Sequence, residues 1–206
     1  MDFFEAVTSQ GIVKKYEKKE VDEKLIGVML YMANHADSAG NLQAWEFIVV
    51  KDPEIKSRLH KAALKLNIVK DAPVDIVVCA DLKKMSLKYE DRGEYLYSIQ
   101  DTSGAITIMM ITAQILGLAT NWIRAFDEQD VKMTLGLPND LRPVGIITLG
   151  YPLEKTQKNV KPFETLTSID QFKKKYDISY MFQIGPKEEV FKPIVNQIID
   201  KLKKKE

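Results

Sequence analysis

This 206-residue chain has only two histidines, His35 and His60, and one cysteine, Cys79, for acid–base, metal or thiol chemistry. His60 stands in the charged run SRLHKAALK and reads as a surface residue. His35 closes an apolar-periodic stretch, where an imidazole can meet the last free carbonyls of a helix. Cys79 lies in the apolar run VDIVVCADL and reads as a buried thiol rather than a nucleophile. HExxH, CxxC, GxSxG, GxGxxG and P-loop patterns are all missing. Zinc hydrolysis, acyl transfer from a nucleophile elbow and P-loop phosphoryl transfer therefore lack their residues.

What remains is the stretch ADSAGNLQAW, residues 36–45. Small residues, Ser38, Ala39 and Gly40, let a flat ligand approach backbone N–H and C=O groups. Asn41 and Gln43 each donate and accept, as the edge of a heteroaromatic ring requires. Trp45 and Phe47 anchor the far end of the turn. An ordinary polar helix-to-strand loop has the same composition, so the pattern alone does not decide.

The elements that must position this turn follow from periodicity. Phe3, Phe4 and Val7 fit one face of a short helix ending near Ser9–Gly11. Residues 20–35 repeat Val21, Leu25, Val28, Met29 and Met32 at helical spacing, with Asp22 and Glu23 in the first turn. WEFIVV reads as a half-buried strand. Asp52-Pro53 then supplies an N-cap and a first helical position. VDIVVCA is apolar almost throughout, which predicts a strand buried on both faces.

Residues 95–116 read as a long central helix carrying Ile99, Ile106, Met109, Met110 and Ala113, stopped by Gly117. ATNWI reads as a third strand. Residues 127–135 read as a short helix capped by Asp127. VGIITLGY reads as a fourth strand, which Pro152 ends. PIVNQIIDKLKKKE reads as a terminal helix with a solvated lysine tail. Alternating strands and surplus long helices indicate an α+β or α/β layer fold.

The 30 basic and 29 acidic residues leave a net charge of +1. No global field points to nucleic acid or to a membrane surface. The N-terminus MDFFEAVTSQ is acidic, and AITIMMI is far too short to span a bilayer. The expectation is a cytoplasmic protein. It has one domain over residues 1–166, and residues 167–206 form an extension of the same domain or of a dimer.

The turn ADSAGNLQAW resembles the APSxxNxQPW signature of the nitroreductase family of flavoproteins. Other segments resemble that family in the same order. VTSQGIVKKY sits where the family carries an RRSxRxY-like segment, and DAPVDIVVCAD resembles its strand before the long helix. ILGLATNWIRAFDEQDVKMTLGLPNDLRPVGIITLGYP resembles its GLGTCWIGGF…LGLPE…P…LGYP segment, and NVKPFETL its C-terminal closing element.

The resemblance implies an α/β/α sandwich with a mainly antiparallel central sheet and long helices that interlock two chains. It implies FMN at the interface of a homodimer, reduced by NADH or NADPH and reoxidised by a small electron-poor acceptor of quinone or nitroaromatic type. A flavin carries the redox chemistry itself, so no catalytic triad is expected.

By the same resemblance Ser38, Asn41 and Gln43, with Asp37 and Ala39 beside them, stand at the flavin-contacting turn. Asn67 and Lys70 stand where some members place an amide and a lysine near the ring. A solvated surface lysine is an equal reading of Lys70. Arg124-Ala125 occupies a Gly-Gly position whose backbone N–H would reach the ring. Lys14 and Lys161 match basic positions that hold the phosphate.

The chain departs from the family at Gln10, Gly11 and Ile12, where arginine and serine stand in the pattern. Unless Lys14, Lys15 or Lys158 substitutes, the loss weakens phosphate binding. Asp37 replaces a proline and reads as a cap of the local backbone. Arg124 narrows the space over the ring and adds charge that could select an anionic substrate. The alternative to a reductase is a degenerate member that binds flavin, or a related ligand, without turnover.

Overall fold

The computed structural model describes residues 1–175 and divides the chain into two units, Met1–Lys158 and a second that begins at Asn159. The sequence-based helix at 193–206 lies outside the described residues.

The first unit opens with α1 (Phe3–Thr8), capped by Asp2, and β1 (Gly11–Tyr16). The second helix, α2 (Glu23–Ala33), starts three residues later than its periodicity suggested, because Asp22 accepts from the Lys24 N–H as N-cap. A 3-10 turn over Ala39–Asn41 leads into β2 (Trp45–Val50). Asp52 caps α3 (Pro53–Ala62) through the Glu54 and Ile55 N–H groups. Then follow the short α4 (Asn67–Asp71) and β3 (Val74–Asp81).

A helix that the sequence did not announce, α5 (Leu82–Arg92), comes next. Its turn Gly93–Tyr97 is π-helical and feeds α6 (Ser98–Ile115). After β4 (Ala119–Ile123), Asp127 caps α7 (Glu128–Leu135), and Gly136 ends it in the left-handed region at φ 65°. The last strands are β5 (Leu141–Gly150) and β6 (Pro152–Gln157). Pro152 therefore begins a strand as well as closing one. It tolerates that place because β6 pairs only with β1, in a two-stranded ribbon that leaves Pro152 at an end.

The central sheet has four strands in the order β2-β3-β5-β4, every neighbouring pair antiparallel. Side-chain alternation along β3 explains its apolar run. Ile76 and Val78 enter a core with Met29 of α2 and Ile106 and Met109 of α6. Val77 and Cys79 enter a second core with Leu59 of α3, Val69 of α4 and Val131 of α7. The result is the expected α/β/α sandwich, with helices on both faces of the sheet.

Three sequence-based expectations change. On α2 the buried face is Ile26, Met29 and Ala33, whereas Val28 and Met32 are exposed. Phe3, Phe4 and Val7 do share a face of α1, but it is an exposed one. His60 is half-buried, and its Nε2 has no partner among the described residues.

Candidate functional site

A cavity of about 750 Å³ lies between β1, α4, α6 and β4. Pockets of this size hold cofactor-sized ligands. It gathers Gln10, Gly11, Ile12, Lys14, Asn67 and Arg124, which the sequence places more than a hundred residues apart at the extremes. Lys158 joins them, so two lysines stand where the altered Gln10–Ile12 stretch lacks a positive charge. Lys15 does not contribute: it lies 3.6 Å from Glu154 on β6. Among the described residues no aspartate or glutamate lines this cavity, whereas Lys14, Arg124 and Lys158 do.

A second cleft, of about 770 Å³, shows that volume alone does not find a site. It is lined by Glu17, Glu20, Asp22, Glu23 and Asp71 against Lys18, Lys19 and Lys51. Its carboxylates outnumber its lysines, so it repels an anionic ligand, and Lys19 is further occupied over the Tyr151 ring at 3.9 Å.

The cationic cavity owes its shape to two fastenings. Asn121 of β4 accepts from the Val13 N–H and donates to the Val13 carbonyl, both at 2.9 Å. This two-point clamp holds β1 beside the central sheet, and with it Ile12 and Lys14. At α4, the buried Lys56 donates to the Lys70 carbonyl at 3.3 Å and to the Ala72 carbonyl. It thus fixes the C-terminal end of the helix whose first residue is Asn67.

Behind Lys56 lies Asp75, fully buried and with neither carboxylate oxygen hydrogen-bonded among the described residues. Burial pushes Asp75 up to about 8, and Lys56 pulls it back in part. The same burial lowers Lys56. Cys79 is raised by burial to about 12, as its apolar run led one to expect.

The turn at 37–43 is held elsewhere. Its Ala39 N–H donates to Asp101 Oδ2 of α6 at 2.9 Å, and its Gln43 N–H donates to Ser38 Oγ at 3.0 Å. Burial raises Asp101, and the Ala39 N–H bond holds it down in part. Lys88 and Lys84 of α5 reach the Gly40 and Gln43 carbonyls. The capping task expected of Asp37 thus falls to Ser38 and Asp101. Asp37 itself is exposed, with no hydrogen bond among the described residues.

Gly40, Asn41 and Gln43 have φ of 58°, 56° and 50°. Gly40 takes that conformation freely, whereas Asn41 and Gln43 carry strain that surrounding structure must hold, a condition common at ligand-binding turns. None of these turn residues lines the cationic cavity. Asp101, which holds the turn, and Met110, which lines the cavity, are about 180° apart around α6.

Lys70 is exposed and Ala125 is exposed; neither lines the cavity. Lys161 belongs to the second unit. Asn121 and Trp122 also line the cavity, and neither stands among the sequence-based site residues. An amide in the middle of a strand is disfavoured unless it bonds backbone, and that was the readable signal for Asn121.

An α/β/α sandwich with this cavity between β1 and β4 defines an oxidoreductase fold of the nitroreductase type. The family model described as nitroreductase family matches residues 12–72 and 61–151, so the chain belongs to the nitroreductase family. It is 31% identical, over 75% of this chain and 79% of the relative, to a Methanothermobacter thermautotrophicus protein with the provisional name NADH dehydrogenase/NAD(P)H nitroreductase.

It is 23% identical, over 76% of this chain and 68% of the relative, to the Bacillus subtilis FMN reductase [NAD(P)H]. Among solved structures it resembles a nitroreductase family protein from Clostridium difficile 630, with TM-score 0.73, 29% identity and coverage of 83% and 99% of the two chains. An FMN-dependent nitroreductase from Clostridium difficile R20291 gives TM-score 0.71, 25% identity and coverage of 82% and 99%.

Proposed function

We propose that this protein is an FMN-dependent NAD(P)H oxidoreductase that reduces small electron-poor acceptors of quinone or nitroaromatic type, and that it works as a homodimer. The observation that carries this reading is the cation-lined, carboxylate-free cavity at the positions where the family-like segments converge. FMN, when bound, supplies a ring that takes hydride from NADH or NADPH and passes it on.

The residues present fit that group. Lys14 and Lys158 would hold its phosphate by charge-assisted contacts, replacing the positive charge absent at Gln10–Ile12. Asn67 offers an amide that both donates and accepts at a ring edge. Ile12, Met110 and the Trp122 indole give apolar wall that excludes water. The Arg124 main chain, just past the end of β4, would supply a backbone N–H, a role that does not depend on its side chain. The turn residues Ser38, Asn41 and Gln43 would come from the partner chain, since their own chain holds them off the cavity.

Exposed apolar surface supports the second chain. Phe3, Phe4 and Val7 on α1 and Val28, Tyr31 and Met32 on α2 all face solvent in the single chain, Tyr31 at 65%. Exposed apolar helix faces of that kind suit an interface. Among the described residues, no helix is long and apolar enough to cross a membrane.

The test is anaerobic addition of NADH or NADPH to the FMN-loaded protein, followed by a quinone or nitroaromatic. Rapid bleaching of the visible flavin band, with recovery on adding acceptor, is expected. Bound flavin that neither nucleotide bleaches would establish the non-reducing flavin binder instead.

A further inference from the structure

One cation of the cavity has no counter-charge. Lys14 and Lys158 match the two charges of a phosphate monoester, which leaves Arg124. Among the described residues Arg124 makes no ion pair and no hydrogen bond to an acid. Instead its guanidinium lies over the Trp122 ring, with Cζ 3.6 Å from the centroid. Stacking uses the faces of both planes and leaves the in-plane N–H donors free as a fork.

The platform beneath it is firm. Trp122 is paired to Ile147 across the β4–β5 ladder, and its indole rests on Gly145, where an added Cβ would meet Cδ1 at 2.7 Å. A glycine at that place lets the ring lie against the sheet. Trp122 and Arg124 thus form one unit on the cavity wall, apolar below and cationic at its exposed edge.

We propose that this stacked pair is a specificity determinant that favours acceptors carrying a carboxylate on an aromatic ring over their neutral isosteres. The proposal rests on the reading of the cavity as a flavin and acceptor site. A flat acceptor lies beside the pair, in the plane of the guanidinium that the indole supports, and its carboxylate takes two parallel N–H bonds from Arg124. The cavity adds no carboxylate of its own to repel the acceptor's charge. Such a charge-assisted pair is worth about ten- to a hundred-fold in affinity.

The experiment measures binding of benzoate and of benzamide to the protein after FMN loading, by calorimetry. Turnover of 4-nitrobenzoate and 4-nitrobenzamide is measured in parallel. Wild type, Arg124→Gln and Arg124→Lys are compared. Benzoate should bind about ten- to a hundred-fold more tightly than benzamide to wild type. Arg124→Gln should abolish that preference by weakening benzoate alone, and Arg124→Lys should keep only part of it.

Unchanged FMN affinity and unchanged KM for NADH and NADPH in Arg124→Gln would support the assignment to the acceptor. A loss of FMN affinity would assign Arg124 to the cofactor phosphate, a raised nucleotide KM would assign it to the reductant, and either overturns the proposal. Equal binding of benzoate and benzamide to wild type also overturns it. Protein that takes up no FMN defeats the cofactor reading separately, and the benzoate–benzamide comparison on that protein still decides Arg124.

Discussion

The two halves of the candidate site are held in opposite ways. The cavity half is fastened by side chains of neighbouring elements, Asn121 of β4 gripping β1 and Lys56 of α3 gripping the end of α4. Its polar side chains Lys14, Asn67, Arg124 and Lys158 make no side-chain hydrogen bond among the described residues. The turn half is tied by its own backbone, through Ala39 to Asp101 and Gln43 to Ser38, with left-handed residues inside. The first half offers charge, and the second offers a fixed array of backbone and amide groups. The opposite faces of α6 keep the two apart within one chain, and the proposed function joins them across two chains.

The largest effect should come from the charged half. Lys14→Glu with Lys158→Glu removes two charge-assisted contacts and should raise the FMN Kd about 10²- to 10⁴-fold with the fold intact. Titration of flavin-free protein with FMN measures it. An unchanged Kd would remove the phosphate from this cavity.

The next effect tests whether the halves meet across a dimer. The charge-reversed protein and an Asn41→Ala/Gln43→Ala protein should each bind FMN poorly. Mixed and allowed to exchange chains, they should recover about one quarter of the sites, because each mixed dimer has one intact site. No recovery would place both halves in a single chain.

A smaller effect belongs to the turn. Asp101→Ala removes the carboxylate that accepts from Ala39. FMN affinity should fall roughly ten-fold, with little change in melting temperature. A large loss of stability with unchanged affinity would make the turn a purely structural loop.

The smallest effect on the cofactor is expected at Asp75, behind the α4 fastening. Its folded value of about 8 lies above the ordinary 3.8, so the folded chain binds this proton more tightly than the unfolded chain. The contribution of this group to stability is therefore fully present below about pH 4 and is lost as pH rises toward about 8. Asp75→Asn should flatten that fall, read by urea unfolding at about pH 5 and about pH 8, while leaving FMN affinity alone. A wild-type stability that rises over this window would show that Lys56 holds Asp75 ionised.

Local chemistry made much of the fold legible in the sequence. The caps Asp52 and Asp127, the strands WEFIVV and ATNWI and the two-sided burial of VDIVVCA stand as their residues predicted. What stayed hidden depends on partners distant in sequence. GIVKKY becomes β1 only because Asn121 and β6 hold it. Leu82–Arg92 is helical with a charged, weakly patterned face. On α2, Val28 and Met32 carry helical spacing yet face outward. Their period recorded a surface to be covered, and periodicity does not say by what. For the site, Gln10–Lys14, Asn67 and Arg124 line one cavity, while the turn residues 37–43 do not. Asn121 and Trp122 carried no motif.

The most direct test follows flavin and protein together in a sedimentation run read both in the visible flavin band and in the protein band. A site completed across two chains predicts that flavin travels with a two-chain species at one FMN per chain. Flavin travelling at full occupancy with single chains, or protein that stays colourless in excess FMN, would contradict it.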